Sequence, residues 1–244
     1  MQKVKAKMYP NSPNRGWNSL SRTQQIVVAV VGVLVLYALL SGVSSIGRLS
    51  SPDWIVAVAA IVFIAFPVHE LAHAAAAVAL GDPTPRLQGR YTFNPLAHID
   101  PIGAVLILFT GFGWAKPVQW NPSNTKVDVR LAVILVSLAG PFSNLVLAAL
   151  SLFFLDKVSI EFVSSFLALF AGINIMLFVF NLIPVPPLDG SHVLFALLPG
   201  NTQELQMNLQ RYGFLLLMLV IFMGGSFINR IVGAIWTLLY GLVG

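Results

Sequence analysis

The sequence predicts an all-α polytopic membrane protein of about six transmembrane helices, with short re-entrant or half-spanning segments and a small β-hairpin-like membrane-associated loop. Three observations carry that expectation. Of 244 residues, 57% are hydrophobic and 9% charged, whereas a soluble domain carries about 25% charged residues. The apolar residues fall into runs of the length a bilayer-crossing helix needs, roughly 17–25 residues. The cations gather in an N-terminal tail and one long loop, as expected of segments that stay on one side of a membrane.

Residues 1–25 form a basic tail in which Lys3, Lys5, Lys7, Arg15 and Arg22 meet no acid. The rest of the chain is balanced in charge, so the tail reads as a cytoplasmic flank and not as a nucleic-acid arm. The unit 26–53 holds the first span. Its apolar run from Ile26 to Ile46 is too long for the core of a signal peptide, and no small-residue cleavage site follows it. A core unit, 54–199, contains spans near 54–80, 131–155 and 161–183. The last unit, 200–244, is expected to hold two further spans, split at Gly224-Gly225-Ser226. The pieces 101–112 and 188–198 are apolar but too short to cross.

Between the second and third spans lies a loop of different composition, with Pro83, Pro85, Pro95, Pro101, Pro117 and Pro122. Within it, residues 113–120 alternate in the manner of a strand, which the prolines confine to a sheet edge, and Leu87 to Phe93 is a second candidate strand. Arg86, Arg90, Lys116, Lys126 and Arg130 place this loop in the cytoplasm, in agreement with a cytoplasmic N-terminus.

The densest chemical signal is the pentad His69-Glu70-Leu71-Ala72-His73, the only ionisable residues between Trp54 and Leu80. Two imidazoles four residues apart share one helix face and can grip a single zinc ion, with Glu70 placed as general base on activated water. A carboxylate near the bilayer centre costs about 2.5–3.5 kcal/mol, so it needs a function to retain it. Glu70 lies ten residues before Leu80, or about 15 Å of helix, inside the membrane but nearer the cytoplasmic face.

A catalytic zinc takes three protein ligands and one open position. The chain has no cysteine, so the third ligand is expected to be an acid. Asp189 is the best candidate, in a proline-broken segment just before Gly190; the alternative is an N-cap for a helix beginning at Ser191. His192 is a further candidate ligand on the same helical face. His98 and Asp100 are placed either around the metal site or in a polar surface turn. Asn144, in a helix interrupted by Gly140 and Pro141, either contacts a substrate carbonyl or developing oxyanion, or serves as helix–helix glue. Asn174 and Asn229 read as glue alone. A membrane metal transporter or metal-binding scaffold would use the same ligands, but it leaves Glu70 without a task.

Taken together, His69-Glu-Leu-Ala-His73, the run from Ala139 to Asn144 (Ala-Gly-Pro-Phe-Ser-Asn), and the run from Asn181 to Gly190 (Asn-Leu-Ile-Pro-Val-Pro-Pro-Leu-Asp-Gly) resemble the site-2 protease family of intramembrane zinc metalloproteases. Residues 89–103 and 113–118 resemble its compact prokaryotic branch without a PDZ domain. The resemblance covers about 54–199. It implies one zinc per chain held by His69, His73 and Asp189, Glu70 as catalytic base, and Asn144 assisting substrate or oxyanion. It also implies an integral protein of the cell membrane that cleaves transmembrane segments of other membrane proteins. Such a substrate must unwind before attack, and the alternating stretch with Trp114, Lys116 and Val118 is expected to hold it by edge pairing.

Overall fold

The computed structural model describes residues 51–110, 113–200 and 202–244, with Arg22 and Gln25. The expected first span, 26–47, and most of the basic tail lie outside the described residues. Four described helices are long and apolar enough to cross a membrane.

Helix α1, Pro52–Ala79, opens with a proline in its first turn, where the missing N–H leaves nothing unpaired. Its middle widens into a π-turn at Ile61–Ala65 before α-helix resumes at Phe66–Ala79. Pro67 explains the widening. It cannot donate to the carbonyl four residues back, and its ring crowds that carbonyl, so the turn relaxes outward. The His69–His73 pentad follows directly on this bulge.

Past α1, Gly81 takes a φ of 111°, and Asp82 reaches both sides of the loop beyond. Its carboxylate accepts from Thr84 N (3.0 Å), Thr84 Oγ1 (2.6 Å), Asn121 N (2.7 Å) and Asn124 Nδ2 (2.8 Å). Burial opposes the charge on Asp82, but the donors from Thr84, Asn121 and Asn124 outweigh it and hold the carboxyl below its usual range. The same contacts start the short helix α2, Thr84–Leu87. Here the expected hairpin fails. Pro85 O accepts from Arg90 N (2.8 Å) and Tyr91 N (3.2 Å), and Gly89 turns with φ 67°, so residues 87–93 coil back and do not extend. No strand forms among the described residues. A single antiparallel bridge, Ile99 to Ala115, with Lys116 N donating to His98 O at 2.8 Å, is what remains of the pairing.

Helix α3, Pro101–Thr110, is too short to span. Helix α4, Val129–Leu155, is capped by Asp128, whose side chain accepts from Arg130 N (2.9 Å) and Leu131 N (3.2 Å). It runs unbroken through Gly140 and Pro141, because neighbouring helices and side chains compensate a lost backbone bond inside a bundle. Helices α5, Glu161–Asn181, and α6, Asp189–Leu197, follow, and α7 is continuous from Gln203 to Val243. The expected break at Gly224-Gly225 is absent. Each mid-helix glycine costs about 1 kcal/mol relative to alanine, whereas a break in lipid would strand backbone groups worth several kcal/mol each. Packing of Ile228, Ile235 and Trp236 around Ala148, Ile175 and Val179 supplies further compensation.

Helix α4 is the hub and touches α1, α5, α6 and α7. Small buried residues on α4 (Ala132, Gly140 and Ala148) and on its neighbours (Ala74, Ala77 and Ala171) let backbones approach closely where lipid offers no hydrophobic drive. A second cluster, Ile61, Phe66, Ile107 and Phe170, ties the π-turn of α1 to α3 and α5.

Candidate active site

Three lone-pair atoms from two helices converge. His73 Nε2 lies 3.0 Å from His69 Nε2, and Asp189 Oδ2 lies 3.2 Å and 3.3 Å from the two nitrogens. Ligands at the usual 2.0–2.2 Å from a tetrahedral zinc sit about 3.3–3.5 Å apart, so this triangle matches one face of such a site closely. The hydrogen bonds behind the rings strengthen the match. His69 Nδ1 bonds Asn144 Oδ1 at 2.7 Å, and His73 Nδ1 bonds Val136 O at 2.6 Å. Both partners are acceptors, so both Nδ1 atoms carry hydrogen, and in its neutral form each ring turns a bare Nε2 to the centre. Asp189 Oδ2 is buried and has no hydrogen-bond donor among the described residues. Three acceptors facing one another repel unless a cation lies between them, and His69, His73 and Asp189 therefore suit a divalent metal.

Glycines make the convergence possible. A Cβ on Gly140 would stand 2.6 Å from His69 Nε2 and overlap His73 as well. A Cβ on Gly190 would stand 2.7 Å from Ile183 O and collide with Leu182 O. Because Gly190 has no side chain, the chain folds tightly back over the end of α5. Asp189 then becomes the first residue of α6, with Leu188 at the cap position and no side-chain cap. The N-cap alternative for Asp189 is thereby set aside: its carboxylate faces the two imidazoles.

Glu70 is buried one residue from His69, and its Oε2 accepts from Val118 N at 2.8 Å. The extended segment that brings Val118 there is pinned on both flanks. Lys116 N is held by His98 O, Arg90 donates to Ala97 O and to Pro117 O (3.4 Å), and Asn121 N is held by Asp82. Glu70, His73, Val118 and Asp189 share a cavity of about 560 Å³ whose polar lining also includes Arg130, His192 and Gln206.

Not every expected site residue lies here. His192 lines the cavity but stands outside the converging trio. His98 is fully buried in the loop, its Nε2 on Thr92 O at 3.0 Å, and Asp100 caps α3 through Ile102 N (3.0 Å) and Gly103 N (2.9 Å). Both build the loop and neither surrounds the metal site. Asn144 is wholly buried behind His69 and does not line the cavity, so a direct contact with substrate does not fit its position. Lys116 and Val118 direct their N–H groups inward, to His98 and Glu70. The sequence shows Gly140 only as a helix interruption and Arg90 only as a loop cation, and it leaves Asp82 without a role. Charges within a proline-rich loop were the available signal for Asp82 and Arg90.

An HExxH helix meeting an aspartate from a proline-broken segment, within a bundle of apolar helices, is a centre of the membrane-embedded metallopeptidase type. The chain belongs to peptidase family M50, the site-2 protease family. Residues 156–223 match that family's profile. The chain is 40% identical over 167 residues to "Putative zinc metalloprotease YwhC" of Bacillus subtilis, an alignment covering 64% of this chain and 76% of the relative. It is also 30% identical over 163 residues to "Putative zinc metalloprotease Rip2" of Mycolicibacterium smegmatis, covering 63% of this chain and 62% of that protein. The Rip2 protein of Mycobacterium tuberculosis strain H37Rv is 28% identical over 180 residues, covering 70% of this chain and 68% of the relative. No solved structure matches the chain significantly.

Proposed function

We propose that this peptidase is a zinc-dependent intramembrane endopeptidase that hydrolyses transmembrane segments of membrane proteins. The observation that carries this reading is the meeting of three acceptor atoms beside a buried glutamate inside an apolar helix bundle. His69, His73 and Asp189 hold the metal. A zinc ion bound there supplies the Lewis acidity that activates water and polarises a peptide carbonyl. Glu70 takes a proton from the attacking water and delivers it to the leaving amine. One of its oxygens accepts from Val118 N–H, which leaves the other to carry the proton.

The cations of the loop beyond α1 support a cytoplasmic position for that loop, and with it for the cavity that Val118 and Arg130 line. Along the extended segment, backbone groups alternate in direction. With Lys116 and Val118 turned inward, Ala115 and Gln119 offer outward N–H groups to an unwound substrate, and Pro117 has none. Ala115→Pro is expected to raise KM several-fold with kcat little changed, measured on a labelled transmembrane substrate. An unchanged KM would remove edge pairing from the mechanism.

The reading as a whole is tested with purified protein in proteoliposomes and a panel of labelled transmembrane segments. Cleavage is expected to stop on chelation and to return with about one equivalent of zinc. Zinc-loaded protein that cuts none of the panel would overturn the assignment of substrate class, and cleavage indifferent to chelation would overturn the metal.

A further inference from the structure

We propose that Asn174, one helix removed from the metal ligands, is a positioning residue that fixes the tautomer of His69 through Asn144. The inference rests on His69 being a ligand. It follows from the polarity of a buried chain of hydrogen bonds. Asn174 Nδ2 lies 2.8 Å from Phe170 O, Asn144 Nδ2 lies 3.0 Å from Asn174 Oδ1, and His69 Nδ1 lies 2.7 Å from Asn144 Oδ1.

An amide side chain can be turned either way, but a backbone carbonyl can only accept. Phe170 O therefore obliges Asn174 to present its NH2, which leaves Asn174 Oδ1 facing Asn144. Asn144 must answer with its own NH2, and its Oδ1 is then left for His69. A proton on Nδ1 is forced, and Nε2 is bare toward the metal site. Both asparagines are completely buried, so no water is at hand to satisfy a reversed order.

Without the relay a competing arrangement is available. Asn144 reversed would donate to a bare Nδ1, and the ring proton would move to Nε2, where Asp189 Oδ2 waits at 3.2 Å as an acceptor. That tautomer gives Asp189 Oδ2 a donor and blocks the metal. His73 needs no such device, because Val136 O fixes its Nδ1 directly. As helix–helix glue alone, an Asn–Asn pair within the membrane would affect stability and leave metal affinity untouched.

The test compares full-length wild type, Asn174→Leu and Asn174→Asp. Leucine keeps the volume and removes both polar ends. A buried aspartate stays neutral, and it can accept from Asn144 and donate to Phe170 O as asparagine does. Zinc Kd is measured by competition with a chromogenic chelator, the cobalt-loaded protein by its visible spectrum, and metal-free stability by thermal unfolding. Asn174→Leu is expected to weaken zinc binding about 10–100-fold, with an altered cobalt spectrum, and Asn174→Asp to stay close to wild type. Should the leucine variant not fold, Asn174→Ala takes its place in the same comparison. The proposal is overturned if wild type and the apolar variant bind zinc equally, or if leucine and aspartate weaken it equally. A wild type that binds no zinc would instead overturn the metal site itself.

Discussion

Glu70→Gln is expected to lower cleavage of a transmembrane substrate by about 10²–10⁴-fold, the range that a lost general base commands, while zinc stays near one equivalent. The two readouts separate because Glu70 is adjacent to the trio and not part of it. Glutamine also keeps the local structure. Its amide oxygen can accept from Val118 N as the carboxylate does at 2.8 Å, so the extended segment stays against the site. What disappears is the capacity to take and return a proton. Cleavage within tenfold of wild type would move the base to another group, and His192, on the cavity wall, would be the next to examine. Loss of zinc together with activity would mean that Glu70 acts on the ligands and not on water. A metal carrier built on the same trio would go on moving zinc with glutamine at this position.

The parts of the site legible in the sequence are those whose chemistry conflicts with their surroundings. Two histidines and a glutamate in an otherwise apolar run cannot be explained by packing, and an aspartate after three prolines cannot be explained by a membrane helix. What could not be read depends on which elements meet. Asn144 looks the same in the sequence whether it faces a substrate or the back of His69, and only the crossing of α4 on α1 decides. His98 and Asp100 carry metal-ligand chemistry yet serve a loop, because Asp100 finds the N-terminus of α3 and His98 finds Thr92 O. The expected hairpin failed on local grounds: Pro85 and Gly89 favour coiling over the extension that apolar alternation suggested. The pair of glycines in α7 misled in the other direction, since a turn signal valid in water is overridden where a break would strand backbone groups in lipid.

Gly140 reads in the sequence only as an interruption of an apolar helix, and its replacement has the other large effect. Gly140→Ala is expected to weaken zinc binding by about 100-fold or more, the upper end for residues that orient metal ligands. On propensity alone the change should help, since alanine is favoured over glycine inside a helix by about 1 kcal/mol. The sign is set instead by where the methyl goes: 2.6 Å from His69 Nε2 and 2.5 Å from His73 Cε1, well inside van der Waals contact. The rings cannot rotate aside without giving up Asn144 Oδ1 and Val136 O, the bonds that turn their Nε2 atoms inward. Nor can α4 draw back freely, because the same helix carries both acceptors and is also packed against α5. Gly172→Ala is the matched control. A Cβ there meets nothing closer than Trp236 Cζ3 at 3.8 Å, so it gains the same helix propensity without touching the site. Zinc affinity lost in Gly140→Ala and kept in Gly172→Ala, with both proteins folded by thermal unfolding, would assign Gly140 to the metal site. Equal affinity in the two would mean that α4 yields at this crossing and that its closeness to α1 is not what holds the trio together.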